Sequence, residues 1–191
     1  MNGDPSRLAR AIGHRFQRLP LLSQALTHRS AAAENNERLE FLGDALLGFV
    51  IAEALWGRFP DADEGRLSRL RATLVKKASL ARVARGLELG DYLSLGAGEL
   101  RTGGHARDSI LADAMEAVFA AVFLDRGFDA AREVILSLFR EPLDRVVAQG
   151  ATKDPKTRLQ ERLQAEKRPL PAYDVLDVSG SQHDQSFLVR C

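Results

Sequence analysis

The chain has 191 residues, 45% hydrophobic and 28% charged, enough for one large domain or two small ones with a real core. Its 27 Lys and Arg side chains against 26 Asp and Glu leave a formal charge of +1, which excludes a histone-like tail or an acidic disordered chain. A single cysteine, Cys191, excludes an internal disulfide framework, and the longest apolar runs, Ala45–Ala52 and Ala117–Leu124, fall far short of a membrane span. The N-terminus lacks the basic start and apolar stretch of a signal peptide, so a soluble, cytoplasmic protein with no membrane partner is expected. Twenty-two of the 27 basic residues are Arg, but a compositional bias in this Ala-rich chain explains that as well as phosphate binding does.

The first 150 residues read almost wholly as helix. From Arg38 to Leu55 apolar residues fill nearly every face, the pattern of a helix in the centre of a bundle. Phe59-Pro60-Asp61 ends it, because the residue before a proline avoids the α region. Glu64 to Arg85 predicts another helix or a broken pair, with a basic run from Arg66 to Arg85. Leu87–Gly104 carries five glycines and reads as turns and a loop. Asp108–Leu124 predicts a second strongly apolar helix, stopped by Gly127, and Asp129–Val147 a long amphipathic helix kinked or broken near Pro142. Residues 149–154 read as a linker between a first domain, 1–148, and a second, 155–191. In the second, a helix over Pro155–Glu166 precedes two alternating runs, Tyr173–Val178 and Ser186–Arg190, separated by a Ser-Gly-Ser turn: helix, strand, strand.

The chemistry shows as a conflict between charge and burial. Glu40 and Asp44 interrupt the most hydrophobic helix of the chain. With Glu37 they fall at i, i+3 and i+7, on one helical face. Asp113 and Glu116, at i and i+3, do the same in the other apolar helix. An unpaired ionised carboxylate is costly to bury, and packing the two helices together would gather four of them. Ordinary ion pairing through Arg38 and Arg107 would neutralise some. Oxygen-only ligands otherwise select a hard cation, Mg²⁺ or Mn²⁺, of the kind that activates water and neutralises a leaving oxyanion in phosphoryl transfer. A four-carboxylate di-iron centre would need two Glu-x-x-His pairs, and none of His14, His28, His105 and His183 has a Glu three residues before it.

These residues lie in recognisable segments. Asn36-Glu-Arg-Leu-Glu-Phe-Leu-Gly-Asp-Ala-Leu46 resembles the signature of the ribonuclease III family, nucleases that cut double-stranded RNA. Gly103-Gly-His-Ala-Arg-Asp-Ser-Ile-Leu-Ala-Asp-Ala-Met-Glu-Ala117 is similar to the family's second carboxylate segment, and Gln24-Ala-Leu-Thr-His-Arg-Ser30 also matches. His105-Ala106 stands where the family often has more polar or basic residues, and Asp108 where Glu is common. The resemblance runs from about Arg15 to the end of the chain. It implies an all-α endonuclease domain followed by a partial α+β double-stranded RNA-binding domain.

By that resemblance Glu40, Asp113 and Glu116 bind Mg²⁺, with Mn²⁺ able to substitute, and Asp44 and Glu116 are catalytic. Glu37 and Glu64 match acidic positions lying further out, with RNA contacts or supporting roles. Phe41 matches an aromatic knob that fits a socket on a partner subunit, which implies a homodimer. Asp154–Gln164 resembles the family's first RNA-binding helix, so Thr157, Gln160, Glu161 and Gln164 are expected to meet the wide minor groove of A-form RNA. His183, in the loop between the strands, would reach a second minor groove. The family's binding domain continues into a third strand and a final helix with a Lys-rich phosphate clamp, which are not found in these residues. The implied function is a Mg²⁺-dependent endoribonuclease that hydrolyses both strands of double-stranded RNA. It would leave 5′-phosphate and 3′-hydroxyl ends with a short 3′ overhang, and process ribosomal and other precursor RNAs. The alternative is a non-catalytic double-stranded RNA-binding protein on the same scaffold, expected to have lost one or more metal-site acids; here all four are present.

Overall fold

The computed structural model describes residues 3–150 together with 159, 162–169, 171, 174–181 and 184–190. The chain divides into two compact units, Met1–Val147 and Ala148–Cys191.

The first unit is helical. Asp4 caps α1 (Pro5–Ala11) by accepting the Ser6 N–H at 2.9 Å, and Pro5 supplies the pre-set first residue. Then follow α2 (Leu19–Ala25) and the long α3 (Glu37–Arg58). The expected helix or broken pair over 64–85 is a pair. Asp63 caps α4 (Glu64–Val75) through the Arg66 N–H at 2.6 Å, Lys76 is extended, and α5 (Lys77–Gly86) restarts. The glycine-rich stretch that follows holds two single 3₁₀ turns and a five-residue helix, α6 (Ala97–Arg101).

Next comes α7 (Asp108–Leu138), broken at Gly127, whose φ of 83° and ψ of −175° suit only a residue without Cβ. The interruption expected near Pro142 falls at Phe139, before α8 (Arg140–Gly150). Pro142 lies in the first turn of α8, where a missing N–H deprives the helix of nothing.

The core forms around α7. Every residue from Ile110 to Val122 except Asp113 is buried, and α2, α3 and α5 pack around this stretch. The central position expected for α3 therefore belongs to α7. One face of α3 buries Leu39, Leu47, Val50, Ile51 and Leu55, while the opposite face leaves Phe41 81%, Phe49 60% and Trp56 74% exposed. An all-round apolar pattern cannot distinguish a helix buried on every side from one with a bare apolar stripe.

In the second unit, residues 162–165 are helical, and β1 (Asp174–Ser181) pairs antiparallel with β2 (Asp184–Arg190), with an irregularity between Val175 and Asp177. The order is the expected helix, strand, strand. The helix α8 runs to Gly150, through the first two residues of the expected linker; residues 151–154 lie outside the described ones. Among the described residues no helix is long and apolar enough to cross a membrane.

Candidate active site

The start of α3 is fixed by the segment Gln24–Ser30. The His28 N–H donates to the Ser94 carbonyl at 3.0 Å, the Ser94 N–H to the Leu26 carbonyl at 2.8 Å, and the Gly96 N–H to Ser30 Oγ at 2.9 Å. Asn36, immediately before α3, is buried. Its N–H donates to the Thr27 carbonyl at 2.9 Å and its side-chain amide to the Ala25 carbonyl at 3.3 Å, while its own carbonyl accepts the Glu40 N–H at 2.8 Å. A buried amide bonded in this way to two backbone segments is costly to disturb. The Gln24–Ser30 segment thus sets where α3 begins and which way Glu40 points, a role that sequence reading did not give to Asn36.

Gly43 sets the distance between the two acid-bearing helices. A Cβ built on it would lie 1.9 Å from the carbonyl oxygen of Glu116, so α3 and α7 touch backbone to backbone at the level of the acids. Glu40, one turn before this contact, then meets Asp113 and Glu116 across it. Each of the three offers a carboxylate oxygen, and these oxygens all lie within 4.8 Å of one another. Glu116 is buried and Glu40 and Asp113 are half-buried, whereas Asp44 is exposed and stands outside this group of three. Four carboxylates were expected to meet; three converge, one of them buried, and the fourth acts on Glu116 through its charge.

That crowding has electrostatic consequences. Burial, followed by the charges of Asp44, Asp113 and Glu40, pushes the Glu116 carboxyl up to about 8. Burial and then Asp113 raise Glu40 as well. The cation beside the cluster is Lys77, whose Nζ donates to Asp113 Oδ1 at 3.0 Å, a bond that raises its own pKa. Sequence reading placed Lys77 only within a basic run and looked to Arg38 and Arg107 for pairing. Arg107 instead pairs with Glu99 at 2.9 Å, and Arg38 is exposed and makes no ion pair among the described residues.

The remaining candidates separate. Glu37 is exposed and pairs with Arg29 at 3.3 Å. Glu64, in the first turn of α4, is exposed and accepts from Ser68 Oγ at 2.7 Å. Neither joins the three convergent acids. Gln164 is exposed, and Thr157, Gln160, Glu161 and His183 lie outside the described residues.

Three carboxylates with no His or Cys among them form an oxygen-only donor set, and that set fits a hard divalent cation. The cation would also offset the burial and the neighbouring negative charges that raise the Glu116 carboxyl. A pH dependence follows. With Glu116 raised in the folded state, the folded protein binds a proton more tightly than the unfolded chain between about 4.5 and 8. Its contribution to stability is full below about 4.5 and is lost as pH rises through about 8. In chelator, the melting temperature of the parent protein should therefore fall relative to Glu116→Gln as pH goes from 5 to 8. Melting curves in which the two proteins keep a constant separation would contradict the assignment.

The family model described as ribonuclease-III-like matches residues 19–143. Among relatives, the chain is 60% identical over 184 residues to Ribonuclease 3 of Methylococcus capsulatus, covering 96% of this chain and 80% of that one. It is 58% identical over 180 residues to Ribonuclease 3 of Alkalilimnicola ehrlichii, covering 94% and 79%. Among solved structures, the nuclease domain of ribonuclease III from Campylobacter jejuni, described as flexible in a region involved in dimer formation, superposes with a TM-score of 0.71. It is 42% identical and the match covers 72% of this chain and 97% of that one. Dicer from Pichia stipitis, at 21% identity and a TM-score of 0.59 over 93% of this chain and 81% of that one, shares the fold.

Proposed function

Because this chain belongs to the ribonuclease III family, we propose that it is a cytoplasmic, Mg²⁺-dependent endoribonuclease that hydrolyses both strands of double-stranded RNA. The products would be 5′-phosphate and 3′-hydroxyl ends with a short 3′ overhang, and the substrates ribosomal and other precursor RNAs. The observation that carries this reading is the convergence of Glu40, Asp113 and Glu116 across the α3–α7 contact, with Asp44 at its edge.

Glu40, Asp113 and Glu116 would hold the cation, and Mn²⁺ meets the same donors. When bound, the ion supplies an activated water and neutralises the leaving oxygen of the phosphodiester. Glu116 would have to be ionised to hold the ion, so the burial that raises it would make loading dependent on pH. The exposed Asp44 would offer a hydrogen-bond acceptor to an incoming water at the solvent edge. Glu37 and Glu64, exposed and outside the cluster, are assigned to RNA contacts or to support of the site.

The strands of a duplex run antiparallel, and one acid cluster cuts one strand, so a two-fold homodimer matches the symmetry of the substrate. The bare stripe on α3 supplies a self-complementary face. Packing it against its own copy antiparallel, with the axis near Gly48, sets Phe41 of each copy toward the Trp56 end of the other. That end carries a mostly apolar hollow of about 280 Å³ lined by Ala52, Leu55, Trp56, Ala62 and Leu67 together with Glu64, Ser68 and Arg71. In the second unit, the helix and antiparallel hairpin support a partial double-stranded RNA-binding domain over 155–191, joined through 149–154 to the nuclease domain 1–148. Thr157, Gln160, Glu161, Gln164 and His183 are its proposed RNA contacts.

The test is cleavage of long double-stranded RNA with and without Mg²⁺, by the parent protein and Phe41→Ala. Truncating a central aromatic anchor costs about 2 kcal/mol per copy, and both copies lose it, so the dimer dissociation constant should rise about a thousandfold. Activity of the variant should then disappear on dilution while the parent's persists. Cleavage without any divalent ion, or a fully active monomer in sedimentation, would refute the corresponding half of this reading.

A further inference from the structure

Among the described residues, Lys77 is the one basic side chain bonded to the acid cluster, and it lies outside all three sequence segments that mark the site. It opens α5, which is anchored on α7 through the buried Ser79, Leu80, Ala81 and Ala84. Its side chain is 63% exposed, against 26% for that of its partner Asp113. The Nζ lies 3.0 Å from Asp113 Oδ1 and within electrostatic reach of Glu40 and Glu116.

A divalent ion entering between Glu40, Asp113 and Glu116 would meet this ammonium at close range and compete with it for Asp113. A lysine suits the exchange. Its charge is compact and sits on a flexible stem, and its exposed head regains water when it leaves. We propose that Lys77 is a positioning residue that serves as a built-in placeholder cation. It holds Asp113 in the cluster before loading, yields it to the metal, and thereby raises the divalent concentration at which the site fills. This inference rests on the metal-binding reading of the three acids.

The test uses the full chain without RNA, following Mn²⁺ binding by electron paramagnetic resonance and melting in chelator, for the parent, Lys77→Met, Lys77→Gln, Lys77→Arg and Glu116→Gln. Both neutral variants should bind Mn²⁺ about tenfold more tightly, the scale of one unit charge close to a divalent ion in a partly solvated site. Both should also melt at lower temperature in chelator, because the acids have lost their counter-charge. Lys77→Arg should stay near the parent in both measurements. A merely structural lysine would lower stability without tightening metal binding. Folded neutral variants that bind Mn²⁺ no better than the parent, with Glu116→Gln binding poorly, would overturn the placeholder role alone. A parent that fails to bind Mn²⁺, or binds it no better than Glu116→Gln, would overturn the metal site and the placeholder together.

Discussion

Replacing Glu116 by Gln lowers the single-turnover cleavage of long double-stranded RNA at least about a hundredfold, while RNA affinity changes by less than about twofold. The substitution keeps the size of the side chain and its ability to hydrogen-bond, and removes one of three convergent charges. Affinity for an A-form duplex comes from phosphate and 2′-hydroxyl contacts spread over the surface, so a buried carboxylate contributes little to it. The variant should also melt higher than the parent in chelator at pH 8, because the neutral amide removes a buried charge repelled by Asp44, Asp113 and Glu40. Loss of chemistry with gain of stability is the signature of a charged site held against its own repulsion. Ca²⁺, with its larger and more flexible coordination, should support binding without turnover. Filter binding beside rapid-quench cleavage decides the matter, and equal loss of both would show that Glu116 acts on folding or RNA docking instead.

Gly43→Ala should be nearly as damaging although it alters no chemical group. The new Cβ would sit 1.9 Å from the Glu116 carbonyl oxygen and 2.4 Å from its carbon. Both atoms are backbone, so no side chain can rotate away and the helices must part. Alanine gains about 1 kcal/mol in helix propensity over glycine, but overpacking typically costs about 1–3 kcal/mol, and here the obstacle is rigid main chain. A net loss of about 2 kcal/mol is expected, a fall of roughly 5 °C in melting temperature for a domain of this size. Parting the helices also draws Glu40 away from Asp113 and Glu116, and a displacement of about 1 Å can remove about a hundredfold in rate. Gly57→Ala, near the end of the same helix with nothing within 4 Å of its Cβ, should cleave like the parent and melt no lower, with a small gain from helix propensity. If Gly43→Ala melts and cleaves like the parent, the close approach does not govern the site.

The acids were legible in the sequence because ionisable groups at i, i+3 and i+7 stand out in an apolar helix; exposure accounts for Glu37 and Asp44, while Glu40 joins the convergent group. Helix starts and stops were legible where local chemistry dictates them: the start at Glu64, the interruption at Gly127, the proline after Phe59. Periodicity reports how many faces of a helix are apolar and says nothing of what covers them. It therefore put α3 in the centre, where the fold puts α7, and did not reveal that Phe41, Phe49 and Trp56 share a bare face. The cation was misread for a related reason. Arg38 and Arg107 are near the acids in sequence, yet Lys77 reaches Asp113 from 36 positions away because α5 packs on α7. Helical class, the four acids and their order along the chain can be read from composition and spacing, since propensity and charge act between neighbours. Which three carboxylates meet, how closely, and which cation faces them follows only from the packing, where a glycine's missing Cβ lets two distant helices touch and α5 carries Lys77 to α7.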